Sequence, residues 1–322
     1  MTIISNCTLS TLKKAATSLK QGNLVAFPTE TVYGLGADAT NERAVARIYE
    51  VKGRPTDHPL IVHISSINNL DKWTRDIPEY AIKLARNFWP GPMTLILPRT
   101  ELAKDFITGG QDNVGIRVPA HYVALALLKE FESQGGYGIA APSANRFGKV
   151  SPTSAQAVQE ELSEYLSPND LILDGGLCHI GIESTIIDCT KKNPVILRPG
   201  GVTKEQIEEL LKLELTSRRF HEKKDVRASG LLDSHYSPNA KVLISNNPKY
   251  GDGFIALSSI ATPVGAIRLA IPSNNTEFAK ILYEALRLAD RKKLKNVCIV
   301  PPSDHGLGKA INDRINRSKF QK

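Results

Sequence analysis

The chain has 322 residues, 41% hydrophobic and 23% charged, with a formal net charge of +8. That length accommodates one large domain or two ordinary ones, the composition is that of a globular protein, and no apolar run reaches the roughly 20 residues of a membrane span. Met1 to Cys7 has no basic stretch leading into an apolar one, so no secretory signal is expected and a cytoplasmic location is. Predicted elements begin with an amphipathic helix over 8–21, where Leu9, Leu12, Ala16 and Leu19 repeat at helical spacing before Gly22. A strand over 24–27 ends at Pro28, a polar turn follows, and Glu42 to Val51 reads as a helix.

The runs 60–64, 94–97, 114–118 and 138–141 are continuous and β-prone, as strands buried on both faces should be. Helices are expected over 80–88, 124–131 and 155–166. Three short strands over 172–174, 184–188 and 195–198 come next, with a closing helix over 203–215. Strands and helices mixed in this way predict an α/β domain around one sheet, residues 1–216. Residues 217–238 are charged and lack apolar periodicity, and read as a linker. A second pattern fills 239–322: strands at 241–244, 254–257, 266–269 and 297–300, an amphipathic helix over 276–294 and a last helix over 309–318. This is a smaller α/β domain.

Cys7, Cys178, Cys189 and Cys298 form no Cys-x-x-Cys pair and are expected to be reduced thiols. Cys178, His179 and Cys189 could be grouped as a zinc site, but half-buried side chains are the simpler reading, so no protein metal ligand is assigned. The basic balance favours polyanions such as ATP, pyrophosphate or RNA without naming one.

Four segments could carry chemistry. Pro28 to Gly36 puts hydroxyls and glycines at the end of a strand, where backbone amides can approach an anion. Lys52-Gly53-Arg54, with His58 and His63 beyond, offers a point charge and a planar fork to phosphate oxygens. Ser143 and Asn145, with Ser151, place a hydroxyl and an amide two residues apart after a buried strand. Gly181 to Thr185, followed by Leu197-Arg198-Pro199-Gly200, adds strand-edge hydroxyls and another arginine. Taken singly, each reads more simply as a turn. A P-loop, a dinucleotide fingerprint and a nucleophile elbow are all missing from the sequence.

As a set, PTETVYGLG (28–36), KGRPTDHPLIVHI (52–64), VGIRVP (114–119), APSAN (141–145), GIESTIID (181–188) and LRPGG (197–201) resemble the YrdC-like family of L-threonylcarbamoyladenylate synthases. The match runs over roughly residues 8 to 210. HYSP (235–238) and GLGKAINDRINR (306–317) are similar to the longer, two-domain form. The resemblance implies a twisted mixed-sheet YrdC-like domain, a linker and a smaller Rossmann-like domain. It implies that threonylcarbamoyl-AMP and pyrophosphate are formed from L-threonine, bicarbonate or CO2, and ATP, with Mg2+, for N6-threonylcarbamoyladenosine modification of tRNA.

By the same matching, Lys52, Arg54, Ser143 and Asn145 would carry catalysis. Arg54, His58, Asn113, Ser143, Ser151, Arg198, His235 and Tyr236 would hold ATP, the last two closing over it from the linker. Thr31, His63, Arg117, Ala141 and Ser184 would hold threonine. Two departures from the family pattern are His58, where asparagine is common, and Ala228 to Ser234, where a Pro-Gly-Met-type approach is usual. The alternative from another class is a non-catalytic double-stranded RNA or tRNA-binding protein using the same basic face, whose affinity would fall steeply with salt.

Overall fold

The computed structural model describes residues 2–4, 7–215, 226–230 and 236–319. In chain order the first domain runs β1 (Thr2–Ile4), α1 (Leu9–Lys20), β2 (Val25–Phe27), β3 (Gly34–Asp38), α2 (Glu42–Lys52) and β4 (Ile61–His63). It continues through α3 (Leu70–Trp73), α4 (Glu79–Phe88), β5 (Met93–Pro98), α5 (Asp105–Thr108), β6 (Asn113–Arg117) and α6 (Tyr122–Ser133). Then come β7 (Ile139–Ala140), α7 (Ala155–Leu162), β8 (Leu171–Leu173), β9 (Thr185–Asp188), β10 (Val195–Arg198) and α8 (Lys204–Leu211). Among the described residues, these strands form a ten-stranded sheet of order β1-β8-β2-β3-β7-β4-β6-β5-β9-β10. Parallel pairs such as β4/β6 and β5/β9 occur beside antiparallel ones such as β3/β7 and β5/β6, so the sheet is mixed.

Two differences from the sequence reading have clear causes. Gly34–Asp38, expected as a turn, is a strand because its glycines let neighbouring chains come close. A Cβ on Gly36 would lie 2.8 Å from both the Ile139 side chain and the Phe27 ring. The helix expected to reach residue 215 stops at Leu211, since Lys212 takes a left-handed conformation with φ 54°. Thr203 and Gln206 form a reciprocal capping box at its start.

The second domain holds β11 (Lys241–Ile244), β12 (Gly253–Ile255), β13 (Ile267–Ala270), α9 (Asn275–Arg291), β14 (Asn296–Ile299) and α10 (Leu307–Ser318). Its four strands, in order β11-β14-β12-β13, are all parallel. That makes it a small parallel α/β unit; its order is not that of the doubly wound dinucleotide folds. One apolar cluster crosses the boundary between domains. Val32, Val150 and Ile182 of the first pack with Phe278, Leu282, Tyr283, Ile311 and Ile315 of α9 and α10. Gly181 marks a close approach between them, since a Cβ there would meet the Lys280 Cα at 2.5 Å. No helix among the described residues is long and apolar enough to cross a membrane.

Candidate active site

Backbone hydrogen bonds draw the distant motifs into one place. Leu35 N donates to Pro142 O (2.8 Å), Ala144 N to Tyr33 O (2.8 Å), and Phe147 N to Lys52 O (2.8 Å). Gly34 and Ser143 form an isolated antiparallel bridge. His63 on β4 lies in register with Arg117 on β6. The result is a hollow, holding ≈ 630 Å³ of space between atoms and open to solvent. Lys52, Arg54, Ser143 and Asn145 line it, together with Thr31, His63, Arg117, Ala141, Ser184, Arg198 and Tyr236.

Lys52 closes α2, where the negative end of the helix dipole favours a cation. Its Nζ donates to the carbonyls of Ser143 and Asn145, tying the two cationic and polar motifs together. Burial, and then the neighbouring Arg54, push its pKa well below that of a free lysine. An incoming polyanion would reverse that shift. Gly53 caps the helix with φ 60°, turning the chain so that Arg54 faces back into the hollow. Arg54 Nη2 donates to Pro59 O (3.0 Å) and Ser229 Oγ (3.2 Å), and burial lowers the guanidinium to about 10, still charged at neutral pH. Arg198 donates Nε and Nη2 to Ser184 O and Nη1 to Ser229 O, so among the described residues its hydrogen bonds go to neutral oxygens.

Arg117 differs. Its Nη2 is held 2.6 Å from Glu30, with both side chains buried, and its Nε donates to Gly91 O. Nη1 makes no hydrogen bond among the described residues. His63 is neutral at physiological pH, because burial, helped by Arg117, lowers its pKa to about 3. Ser184 and Thr94 share a hydroxyl contact of 2.8 Å beside it.

Three buried polar atoms in this lining, Arg54 Nε, His63 Nδ1 and Asn145 Oδ1, have no hydrogen-bond partner among the described residues. Buried polar groups are nearly always paired, so their clustering around one hollow marks a place built for a polar ligand. Lys52, Arg54 and Arg198 leave the hollow cationic, since Arg117 is balanced by Glu30 and the lining carboxylate Glu183 by Arg314 (2.8 Å).

The remaining predicted residues lie apart from the lining. His58 stands edge-on to Phe147 (5.4 Å between ring centres), and Phe147 itself lines the hollow. Asn113 lines a smaller adjoining cavity with Ile61, Ile96, Gly115 and Ile186, beneath Arg227 to Ser229. Ser151 is buried and donates to Glu183 (2.7 Å). His235 lies outside the described residues. Of the linker, Ser229 and Gly230 sit against Arg54 and Arg198, and Gln111 and Arg227 exchange two hydrogen bonds that pin this stretch to the first domain.

Sequence reading missed Glu30 and Glu183. The signal was present: each is a carboxylate inside a motif otherwise made of hydroxyl, glycine and apolar residues, and a buried carboxylate demands a buried cation.

The comparisons bear on the whole chain. Residues 17–200 match the family described as "Telomere recombination", and 202–319 the family described as "Threonylcarbamoyl-AMP synthase, C-terminal domain". The chain is 40% identical to the threonylcarbamoyl-AMP synthase of Pyrococcus abyssi, over 95% of this chain and 93% of that one. It is 39% identical to that of Bacillus subtilis, over 95% and 92%. The crystal structure of P. abyssi Sua5 complexed with L-threonine superposes with a TM-score of 0.89 at 38% identity, covering 99% of this chain and 98% of that one.

Proposed function

This chain belongs to the family of two-domain threonylcarbamoyl-AMP synthases, and we propose that the cationic hollow is where its chemistry takes place. It is an enzyme that makes threonylcarbamoyl-AMP, with L-threonine and ATP as substrates. Support for the location comes from one observation above the rest. The unpartnered Arg54 Nε, His63 Nδ1 and Asn145 Oδ1 share a lining with Lys52 and Arg198.

The amine of L-threonine adds to CO2, loses a proton and becomes a carbamate. A carbamate oxygen then attacks the α-phosphorus of ATP, the bond to the β-phosphate bridging oxygen breaks, and pyrophosphate leaves. No covalent bond to the protein is needed; positioning and charge neutralisation suffice. Lys52, Arg54 and Arg198 face the triphosphate, and Arg117 offers Nη1 to the threonine carboxylate. Neutral His63, with Thr31, Ala141 and Ser184, surrounds the amino acid, while Ser143 and Asn145 orient carbamate and phosphate oxygens. His58, Asn113 and Ser151 support the nucleotide side from behind the lining or beside it. Tyr236 closes one side of the hollow and helps keep water from the mixed anhydride.

Mg2+ is placed on the triphosphate rather than on the protein. Glu183, the carboxylate of the described lining, already has its oxygens filled by Arg314, Tyr283 and Ser151. The domain limits 1–216, 217–238 and 239–322 go with this reading, as does delivery of the product to tRNA and tRNA-modification proteins. Pyrophosphate release, measured with L-threonine, bicarbonate and ATP each left out in turn, tests the assignment. Release must require all three. Release without threonine, or tight salt-sensitive RNA binding without any release, would replace it.

A further inference from the structure

The second domain reaches the hollow through a buried charge. Glu183 forms part of the lining, yet its carboxylate is directed to the other domain. Oε2 accepts from Arg314 Nε on α10 (2.8 Å) and Tyr283 OH on α9 (2.9 Å), and Oε1 accepts from Ser151 Oγ (2.7 Å). Arg314 is 0% exposed and Glu183 6%. Arg314 also pairs with Asp313 (2.7 Å), and its guanidinium lies over the Tyr236 ring (5.4 Å). Tyr236 in turn stacks on Tyr283 (5.6 Å).

Next along the chain from Glu183 is Ser184, whose carbonyl takes two donors of Arg198. The backbone beside Glu183 is thus held by one buried guanidinium, Arg198, while its carboxylate is held by another, Arg314. Resting on the functional reading above, we propose that Arg314 is a positioning residue: by holding Glu183, it keeps that carboxylate from neutralising Arg198 and so preserves the cationic site for the triphosphate. The second domain then completes the nucleotide site electrostatically, without touching the substrate.

A charge-holding role has a signature that a packing role lacks. Burial alone would raise the Glu183 carboxyl; Arg314 first, then Arg198 and the hydrogen bonds, outweigh it and bring it to about 2. The groups that face this carboxylate are Arg314 and Asp313 on α10, Tyr283 on α9, Arg198 on β10, and Tyr236. Without Arg314, the carboxylate keeps its charge beside Arg198 and Ser151, so removing that charge as well should restore the cationic site.

The test is the ATP dissociation constant by titration calorimetry, each variant taken relative to wild type, for Arg314→Met and for Arg314→Met with Glu183→Gln. Arg314→Met should weaken ATP binding about tenfold or more near pH 8. The double variant should lie within about threefold of wild type. A single variant within about threefold of wild type, or a double variant as weak as the single, overturns the proposal. Should Arg314→Met fail to fold by circular dichroism, the double variant decides. Folded and binding, it supports the charge role; unfolded, or folded and weak, it refutes it. Wild-type protein that binds no ATP would sink the functional reading itself, which distinguishes that failure from this one.

Discussion

Lys52→Ala would remove a cation whose Nζ is tied to both ends of the Ser143–Asn145 turn. Two effects on stability oppose each other. The two carbonyls lose a donor, at about 1–3 kcal/mol each if they stay buried and unpaired. Against this, an ammonium that is only 2% exposed no longer has to be desolvated, a relief of several kcal/mol. The net change should therefore fall within about 2 kcal/mol, and the protein should fold.

Catalysis has no such compensation. A unit charge about 4 Å from a phosphate oxygen, at an effective dielectric of about 20, contributes about 4 kcal/mol. At about 1.4 kcal/mol per decade, this is a loss of roughly 10³ in turnover. The assay is pyrophosphate release dependent on threonine and bicarbonate, run beside a thermal melt. A folded variant within tenfold of wild type would refute the charge argument. A variant that cannot fold would show that the lysine serves the turn rather than the reaction.

Three further outcomes are expected. Glu30→Gln strips Arg117 of its buried partner and should lower stability in urea by about 3–5 kcal/mol, with part recovered in saturating L-threonine; a loss under about 1 kcal/mol would contradict the pairing. Gly230 has φ 79°, and a Cβ there would lie 2.5 Å from the Tyr236 hydroxyl and 2.8 Å from Arg198 Nη1. Gly230→Ala should thus unseat the linker and raise hydrolysis of the adenylate relative to its capture, measured as AMP formed per product; an unchanged ratio would speak against closure. His63, with its folded-state pKa lowered to about 3, stays neutral where an unfolded histidine takes up a proton. Its contribution is full above about pH 6.5 and is lost as pH falls toward 3, at up to about 1.4 kcal/mol per unit. His63→Gln should flatten that acid branch in denaturant titrations, and an identical slope would place the proton uptake elsewhere.

Much of the fold was written locally. Leu60 to Ile64 and Thr94 to Leu97 are mostly apolar, β-prone runs, and they became the core strands β4 and β5, on either side of β6. Helices α1 and α9 followed from apolar spacing; the structure adds their N-caps, Thr8 and Asn274, whose side chains accept at their starts. β3 was illegible because Gly-Leu-Gly-Ala-Asp has the composition of a turn; only the crowding by Phe27 and Ile139 explains it. At the site, the hydroxyl, amide and cation motifs could be singled out because each is a compact pattern. The ion pairs could not. Glu30 finds Arg117 87 positions away, and Glu183 finds Arg314 131 positions away, so neither pairing has a periodic trace in the sequence.

The apolar cluster shared by Val32, Val150 and Ile182 with α9 and α10 makes the two domains one cooperative piece. Heat or denaturant that loosens α10 also strips the back of the catalytic wall, so both halves should melt in one transition. A substitution at Ile311 or Ile315, remote from any substrate, would then register in an activity screen as though it had struck the reaction centre. With the proposed site, robustness of catalysis would depend on the packing of the last helix as well as on the residues lining the hollow.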